Sequence, residues 1–320
     1  MKKTDEQRDL PTLRDLRILL TAVEAGSMSK AAELLRVSQP AISKTIGQIE
    51  RAVDAQLITR SSTGIRPTAQ GEVLLARGRA AFDELRRGIE GMKALSDPQS
   101  GELRIAGNQI AQSVIIPRLI NRIYADHPGI TFHVISAYTL ADQVRELEQR
   151  NADLVVARLT NPLEDSGVQA IELLQDDFVV VAAPGNRWAR RRNVELAELM
   201  DEPWTFPSRD SVSGRFSAQI FEATGLGLPR ITVVASSIQL HRQLVMHSGY
   251  LGLFSRSFAE SSRGIHILPV TLKGERQSIG ILTARHRTLT PLTRLFIDYA
   301  RAVFREDEAA LTAGSAIPRS

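Results

Sequence analysis

The chain reads as two parts: a helical N-terminal part that closes with one long helix, and a C-terminal α/β part of two lobes. Three observations predict this. Apolar residues recur at helical spacing through the first 95 residues. From Gly101 onward, short apolar strands alternate with helices, the pattern of an α/β domain. Between them Ser96 to Gly101 (SDPQSG) holds turn formers, a proline and no large apolar residue, the composition of a hinge. The expected boundaries are 1–67, a long helix at 68–95, a hinge at 96–101, the α/β part at 102–305 and a mobile tail at 306–320.

Composition narrows the class. At 320 residues, with 43% hydrophobic and 24% charged, the chain has the balance of a folded protein of two or three domains. It contains no cysteine, which excludes disulfides, thiolate metal sites and a thiol redox switch. Apolar runs fall short of the roughly 18 residues of a membrane span, and MKKTDEQRDL leads into no apolar signal core. A cytoplasmic protein without a membrane partner is expected. Residues 1–95 hold 16 Lys+Arg against 12 Asp+Glu, whereas the rest balances at 24 against 24. The net charge of +4 therefore lies in the helical part, the side on which a polyanion would bind.

Leu13, Leu16, Leu20 and Val23 form an apolar helix stripe that Gly26 is placed to stop. Ser29 to Arg36 follows as a short helix, with small Ala31 and Ala32 for close approach, Leu34 and Leu35 as its apolar side, and Val37 at the turn. Ser38 then supplies an N-cap hydroxyl, and Pro40 falls in the first turn, where a missing N–H costs nothing. In this next helix Ile42, Ile46, Ile49 and Val53 recur as a stripe to be buried. Its other face carries Gln39, Ser43, Lys44, Thr45, Gly47 and Gln48, with no acid before Glu50. Such a face either meets water or reads a major groove, where amides and hydroxyls meet base edges and lysine meets phosphate. Gln56 to Pro67 (QLITRSSTGIRP) reads as two short strands around a small polar tip, a wing flanked by Arg60 and Arg66.

With GSMSKAAELLRVSQPAISKTIGQIE followed by QLITRSSTGIRPTAQG, residues 13–71 resemble the winged helix-turn-helix of LysR-type bacterial transcriptional regulators. The departures are mild: Met28 and Ile58 stand where that family usually has phenylalanine, and Pro67 replaces a common leucine. The resemblance implies a double-stranded DNA partner at an inverted-repeat promoter site, and RNA polymerase as a further partner. Gln39, Ser43 and Lys44 are the groove candidates, with Ser38, Pro40, Arg60, Arg66 and Thr68 beside them toward the phosphates.

Residues 68–95 read as one helix capped by Thr68. Leu74, Gly78, Ala81, Leu85, Gly88, Met92 and Leu95 alternate at four and three, widened by Phe82 and Ile89, a spacing that asks for a partner helix. The resemblance makes this the dimerisation helix, with two dimers combining into a tetramer.

Beyond the hinge the expected strands are Glu102 to Ala106, Ile130 to Ser136, Asp153 to Arg158, Phe178 to Ala183, Trp204 to Pro207, Ile231 to Ala235, Tyr250 to Phe254 and Gln277 to Thr283. Helices are expected at Ser113 to Asp126, Leu140 to Gln149, Val194 to Met200, Phe216 to Thr224, Ile238 to His247 and Pro291 to Phe304. Similar lengths on either side of Gln175 and a final strand–helix predict two lobes with the chain crossing back. GELRIAG, the HP before a strand and ELEQRNADLVV match the same family's effector-binding domain, which is similar in fold to periplasmic solute-binding proteins.

In open α/β lobes, ligands sit beyond the carboxyl ends of the strands. That rule selects Asn108, Gln109, Ser113, Thr139 and Arg158 from the first lobe, and Phe206, Ser236, Ser237, His241 and Phe254 from the second. A small organic acid with Arg158 as its cation is one expectation; the other is an arginine paired with a nearby acid and polar residues spent on local capping. No G-x-S-x-G, P-loop or H-x-x-x-H spacing occurs, and the G-x-G at Gly225 fails as a dinucleotide fingerprint because position 230 is Arg. An enzyme is not expected, nor any cofactor or metal. The expected function is a DNA-binding transcriptional regulator answering to a small-molecule effector. A ligand-independent regulator of the same fold and a solute-binding module are the alternatives.

Overall fold

The computed structural model describes residues 10–61, 64–96, 100–159, 167–272 and 277–314. Its contacts divide the chain into Met1–Leu95 and Ser96–Ser320, each with its own core. Residues 1–9, 62–63, 97–99, 160–166, 273–276 and 315–320, and with them parts of the expected hinge and tail, lie outside the described residues.

In the first unit α1 (Leu13–Glu24) begins at a capping box between Thr12 and Asp15 and ends before Gly26, whose φ of +64° is the left-handed turn a glycine makes freely. α2 (Met28–Leu35) and α3 (Gln39–Ala52) follow, capped by Ser27 and Ser38. The turn between them is made by Arg36 at φ 54° and ψ 46°, one residue before the Val37 expected there. β1 (Ile58–Ser61) and β2 (Gly64–Pro67) pair antiparallel as the wing, and α4 (Ala69–Ser96) leaves it. Ile42, Ile46 and Ile49 enter one core with Leu19, Leu20, Ala31, Leu57, Ile65 and Leu75. Three of the residues expected in this core are exposed instead. Val53 is 38% exposed because α3 stops at Ala52, Leu34 is 69% exposed because Ala31 and Ala32 face inward instead, and Leu13 is 44% exposed on the first turn of α1.

The T-x-x-G at Thr68 to Gly71 has a local cause. Thr68 Oγ1 donates to the Gln56 carbonyl at 2.6 Å and accepts from Gly71 N at 3.0 Å. A Cβ on Gly71 would lie 2.0 Å from the Leu57 carbonyl oxygen, so only glycine lets α4 leave the wing this closely.

The second unit holds two five-stranded sheets. The first lobe contains β3 (Ser100–Gly107), β4 (Gly129–Ser136), β5 (Leu154–Arg158), β6 (Val168–Asp176) and β12 (Gln277–Ala284), in the order β4-β3-β5-β12-β6. The second contains β7 (Phe178–Ala182), β8 (Trp204–Pro207), β9 (Ile231–Ala235), β10 (Leu251–Ser255) and β11 (His266–Ile267), in the order β11-β7-β10-β8-β9. The chain crosses at Asp176 to Phe178 and returns between β11 and β12, as two lobes with a returning strand require. β3 runs parallel to β4 and β5, and β8 to β9 and β10, while β12 and β7 pair antiparallel with their neighbours.

The helices are α5 (Ile116–Asp126), α6 (Leu140–Glu148), α7 (Val212–Thr224), α8 (Ile238–His247), α9 (Arg256–Ser261) and α10 (Pro291–Gly314). Before α5 the backbone widens into a π-turn at Ala111–Ile115, next to Pro117, which has no N–H to offer the preceding turn. β6, β11 and α9 lie outside the expected elements, and the stretch expected as a helix near Val194 is only a 3-10 turn at Leu196–Leu199. The tail is corrected as well: α10 continues beyond Arg305 to Gly314 through EDEAALTAG, a run rich in strong helix formers. Within the hinge Ser96 ends α4, and Ser100 and Gly101 already belong to β3. Among the described residues no helix is long and apolar enough to cross a membrane.

Candidate functional site

The N-terminal candidate is the exposed face of α3 with the wing. Ser38, Gln39, Pro40 and Lys44 lie together on the first turns of α3 and are exposed, as are Arg60 and Arg66 on the wing strands. Ser38 Oγ accepts from Ala41 N at 3.4 Å, so the hydroxyl caps the helix. Ser29 Oγ donates to Gln39 Oε1 at 3.2 Å, which leaves the two amide protons of Gln39 to face outward. Arg60 Nη2 donates to Ser43 Oγ at 3.1 Å and ties the wing to the middle of α3. The charges of Lys44 and Arg66 meet no acid among the described residues. Thr68 departs from expectation: its hydroxyl proton goes to Gln56 and its oxygen to Gly71 N, so it shapes the wing exit and has no proton to donate to a phosphate.

The second candidate is a cavity of about 80 Å³ between the lobes. It lies at the carboxyl ends of β3, β8 and β9, where the strand-end rule places ligands. Asn108 and Gln109 enter it from the first lobe, and Ser236, His241 and Phe254 from the second. Ile110, Tyr138, Phe178, Pro207, Ser211, Val212, Ser213, Ile238 and Leu253 complete the wall. The lining is mostly apolar, and none of these side chains is Asp, Glu, Lys or Arg. Two of the polar wall residues are already engaged. Asn108 Oδ1 accepts from Ala111 N at 2.9 Å, and Gln109 Oε1 accepts from Ile238 N of the opposite lobe at 2.6 Å.

His241 is 2% exposed. Its Nε2 lies 3.0 Å from the Ala235 carbonyl, which can only accept, so Nε2 carries the proton. Nδ1 then accepts from Thr205 Oγ1 at 2.6 Å. Burial pushes the His241 pKa below the ordinary 6.5, against a smaller opposing pull from the Ala235 carbonyl. The ring thus offers the cavity a neutral apolar surface and no unpaired nitrogen.

Five expected residues lie off this wall. Arg158 is 5% exposed and faces Asp176, with Nη1 donating to its carbonyl at 3.2 Å and Nη2 3.5 Å from Oδ2. Its guanidinium stacks 4.7 Å from the ring centre of Phe178 and 6.0 Å from that of Phe216. Burial lowers its pKa, and Asp176 and then Asp177 act against that shift. It borders a smaller hollow with Asn108, Ile110 and Ser213, but as one half of a buried pair it is not an open cation. Asp176 also accepts from Ser257 N at 3.1 Å and Ser257 Oγ at 2.8 Å, so this pair fastens the crossover to both lobes.

The other four are spent locally. Ser113 Oγ donates to the Gln109 carbonyl at 2.7 Å. Thr139 caps α6 in a capping box with Asp142, whose carboxyl the Thr139 hydroxyl holds below the usual range. Ser237 caps α8 through Leu240 N at 3.3 Å. Phe206 is core, packed against Trp204 and Phe221 with ring centres 5.4 and 5.5 Å away.

Some wall residues were within reach of sequence reasoning. Ser211 caps α7, and starting that helix at Phe216 hid it. Gly214 is a second signal, because a Cβ there would lie 2.0 Å from the Ser208 carbonyl oxygen. Phe178 opens an antiparallel strand, so a rule about carboxyl ends passes over it.

Two family profiles cover most of the chain. Residues 13–72 match the bacterial regulatory helix-turn-helix protein, lysR family, and residues 96–305 match the LysR substrate binding domain. The chain belongs to the LysR family. This is a family of DNA-binding transcriptional regulators with an effector-binding domain, not of enzymes. The LysR-family chain is 25% identical over 297 residues to the HTH-type transcriptional regulator GbpR of Azospirillum brasilense, a match covering 91% of this chain and 86% of that one. It is 29% identical over 195 residues to a probable hydrogen peroxide-inducible genes activator of Mycobacterium leprae, where only 60% of this chain and 61% of that protein are matched. Among solved structures, CbnR, a LysR family transcriptional regulator, superimposes with a TM-score of 0.67 at 20% identity, covering 92% of this chain and 99% of that one. Full-length CbnR complexed with its target DNA gives 0.66 at 21% identity over 91% and 99% of the two chains. At such identity these structures speak for the fold alone.

Proposed function

We propose that this LysR-family regulator binds an inverted-repeat promoter site as a dimer, in the cytoplasm where its DNA lies, and that a small organic effector enters the cavity between its lobes. Gln39, Ser43 and Lys44 read or touch the major groove, with Ser38, Pro40, Arg60 and Arg66 toward the backbone. Two features support this: Ser38, Gln39, Pro40, Lys44, Arg60 and Arg66 are exposed, and among the described residues Lys44 and Arg66 meet no acid. CbnR, similar in fold, has been solved in complex with its target DNA, which supports a DNA partner for this chain. Two copies meet through α4, and dimers pair into a tetramer that acts on RNA polymerase.

The effector is a small, largely apolar molecule with an acceptor group, an organic acid being the simplest. The single observation that carries this is the apolar cavity at the strand ends of both lobes. Its carboxylate would be met by first-turn amides of α7 and α8, whose N-termini Ser211, Val212 and Ile238 bring to the wall, and not by Arg158. The test is thermal unfolding of the full chain against a panel of small acids and their neutral amides. A ligand at about 100 times its dissociation constant stabilises by about 2.7 kcal/mol. Ser236→Trp, which fills the cavity, is expected to abolish that shift; a shift that survives it would place the ligand elsewhere.

A further inference from the structure

The bond between Gln109 and Ile238 joins residues 129 positions apart and on opposite lobes, and both residues line the cavity. Ile238 is the first residue of α8, where a backbone N–H has no partner within its own helix. Ser237 caps that helix at Leu240 N and leaves the Ile238 amide to the oxygen that arrives from the other lobe. The Gln109 backbone is in turn held by Ser113, whose hydroxyl donates to its carbonyl at 2.7 Å. Elsewhere the lobes meet through packing and the buried Asp176 carboxylate: Val114 reaches the second lobe's core, Arg158 stacks on Phe178 and Phe216 near the crossover, and Asp176 accepts from Ser257. Those contacts are buried and hold without any solute. The Gln109 oxygen instead sits on the cavity wall, at an amide that any acceptor oxygen in the cavity would seek.

We propose that Gln109 is an interlobe clasp whose side-chain oxygen stands in for an effector oxygen at the N-terminus of α8. Seated, it draws the lobes together over the cavity. An effector carboxylate or carbonyl that takes the Ile238 amide must unseat it, so effector binding exchanges one cross-lobe bond for a ligand-mediated one. The lobe angle then follows from the effector's length instead of the glutamine's. The exchange part of this proposal rests on the effector reading above, whereas the clasp itself does not.

Three variants of the full chain separate the parts. Gln109→Met keeps length and volume without the acceptor, Gln109→Ala removes the side chain, and Gln109→Glu keeps an acceptor and adds charge. The readout is hydrogen exchange by mass spectrometry over Ser236 to Leu240. A net hydrogen bond of ordinary strength corresponds to about fivefold in an opening equilibrium, so exchange should quicken about fivefold in the Met and Ala variants and slow in the Glu variant. Equal exchange in wild type and both Met and Ala variants would overturn the clasp. For the competition, benzoate and hexanoate serve as probes by calorimetry. Either acid should bind about fivefold tighter to Gln109→Met, with no bond to displace. Weaker binding there would make Gln109 a ligand contact and overturn the competition. If neither acid binds any of the proteins, the organic-acid reading fails, and the exchange data still decide the clasp.

Discussion

At position 158 a strand-end arginine is drawn inward by its surroundings. It keeps its charge through Asp176 and two aromatic faces instead of awaiting a ligand. Removing one partner of a buried pair typically costs about 3–5 kcal/mol, so Arg158→Ala should lower the urea unfolding free energy of the C-terminal unit on that scale. A change under about 1 kcal/mol would show the pair to be dispensable. His241 carries a pH dependence of definite sign. Its folded pKa lies below the ordinary 6.5, so below that pH the unfolded chain binds the extra proton. Its contribution is fully present above about pH 7.5 and declines as the pH falls through 6.5 toward the folded value. Urea titrations at pH 5.5 and 8 should show a smaller difference in His241→Gln than in wild type. On the DNA side, Lys44→Ala should weaken binding across sequences and reduce the slope of log affinity against log salt by about one; an unchanged slope would remove Lys44 from the phosphates.

Along α4 a single apolar pattern serves two purposes. Gly78 lies against Leu16 and Leu20 of α1, and Leu75 is in the core, so the first half of the helix is spent inside its own unit. Farther on, Leu85, Ile89 and Met92 are 49%, 56% and 70% exposed, the spacing expected of a face awaiting another helix. Ile89→Lys should shift full-length protein toward monomers in sedimentation velocity and weaken DNA binding with it; unchanged oligomers would move the dimer contact off α4. The periodicity was legible in the sequence, but not the point at which the stripe passes from the core to the surface, because that depends on where α1 ends. The same holds for β6, whose residues between Val168 and Asp176 are all exposed or half-buried at a sheet edge and whose VQAIELLQD carries no strong apolar run. α3 was the most legible element, since cap, proline and isoleucine spacing agree locally.

For the whole molecule, the alternation of strands and helices was enough to predict two lobes and a returning strand, and the strand-end rule found the cavity. That rule does not tell a residue that faces the cavity from one that caps a helix or joins the core, so Asn108, Gln109, Ser236, His241 and Phe254 reach the wall while Thr139, Ser237 and Phe206 do not. Burial and hydrogen bonding decide between them, and both depend on chain distant in sequence. The central claim, that this chain reads duplex DNA as a symmetric pair, is tested most directly by selecting binding sites for the full-length protein from a pool of randomised duplexes. An enriched inverted repeat is expected, its half-sites separated by about one helical turn or a multiple of it, with loss of that enrichment for Gln39→Ala with Lys44→Ala. A selected pool no different from the starting one, or one enriched without two-fold symmetry, would contradict it.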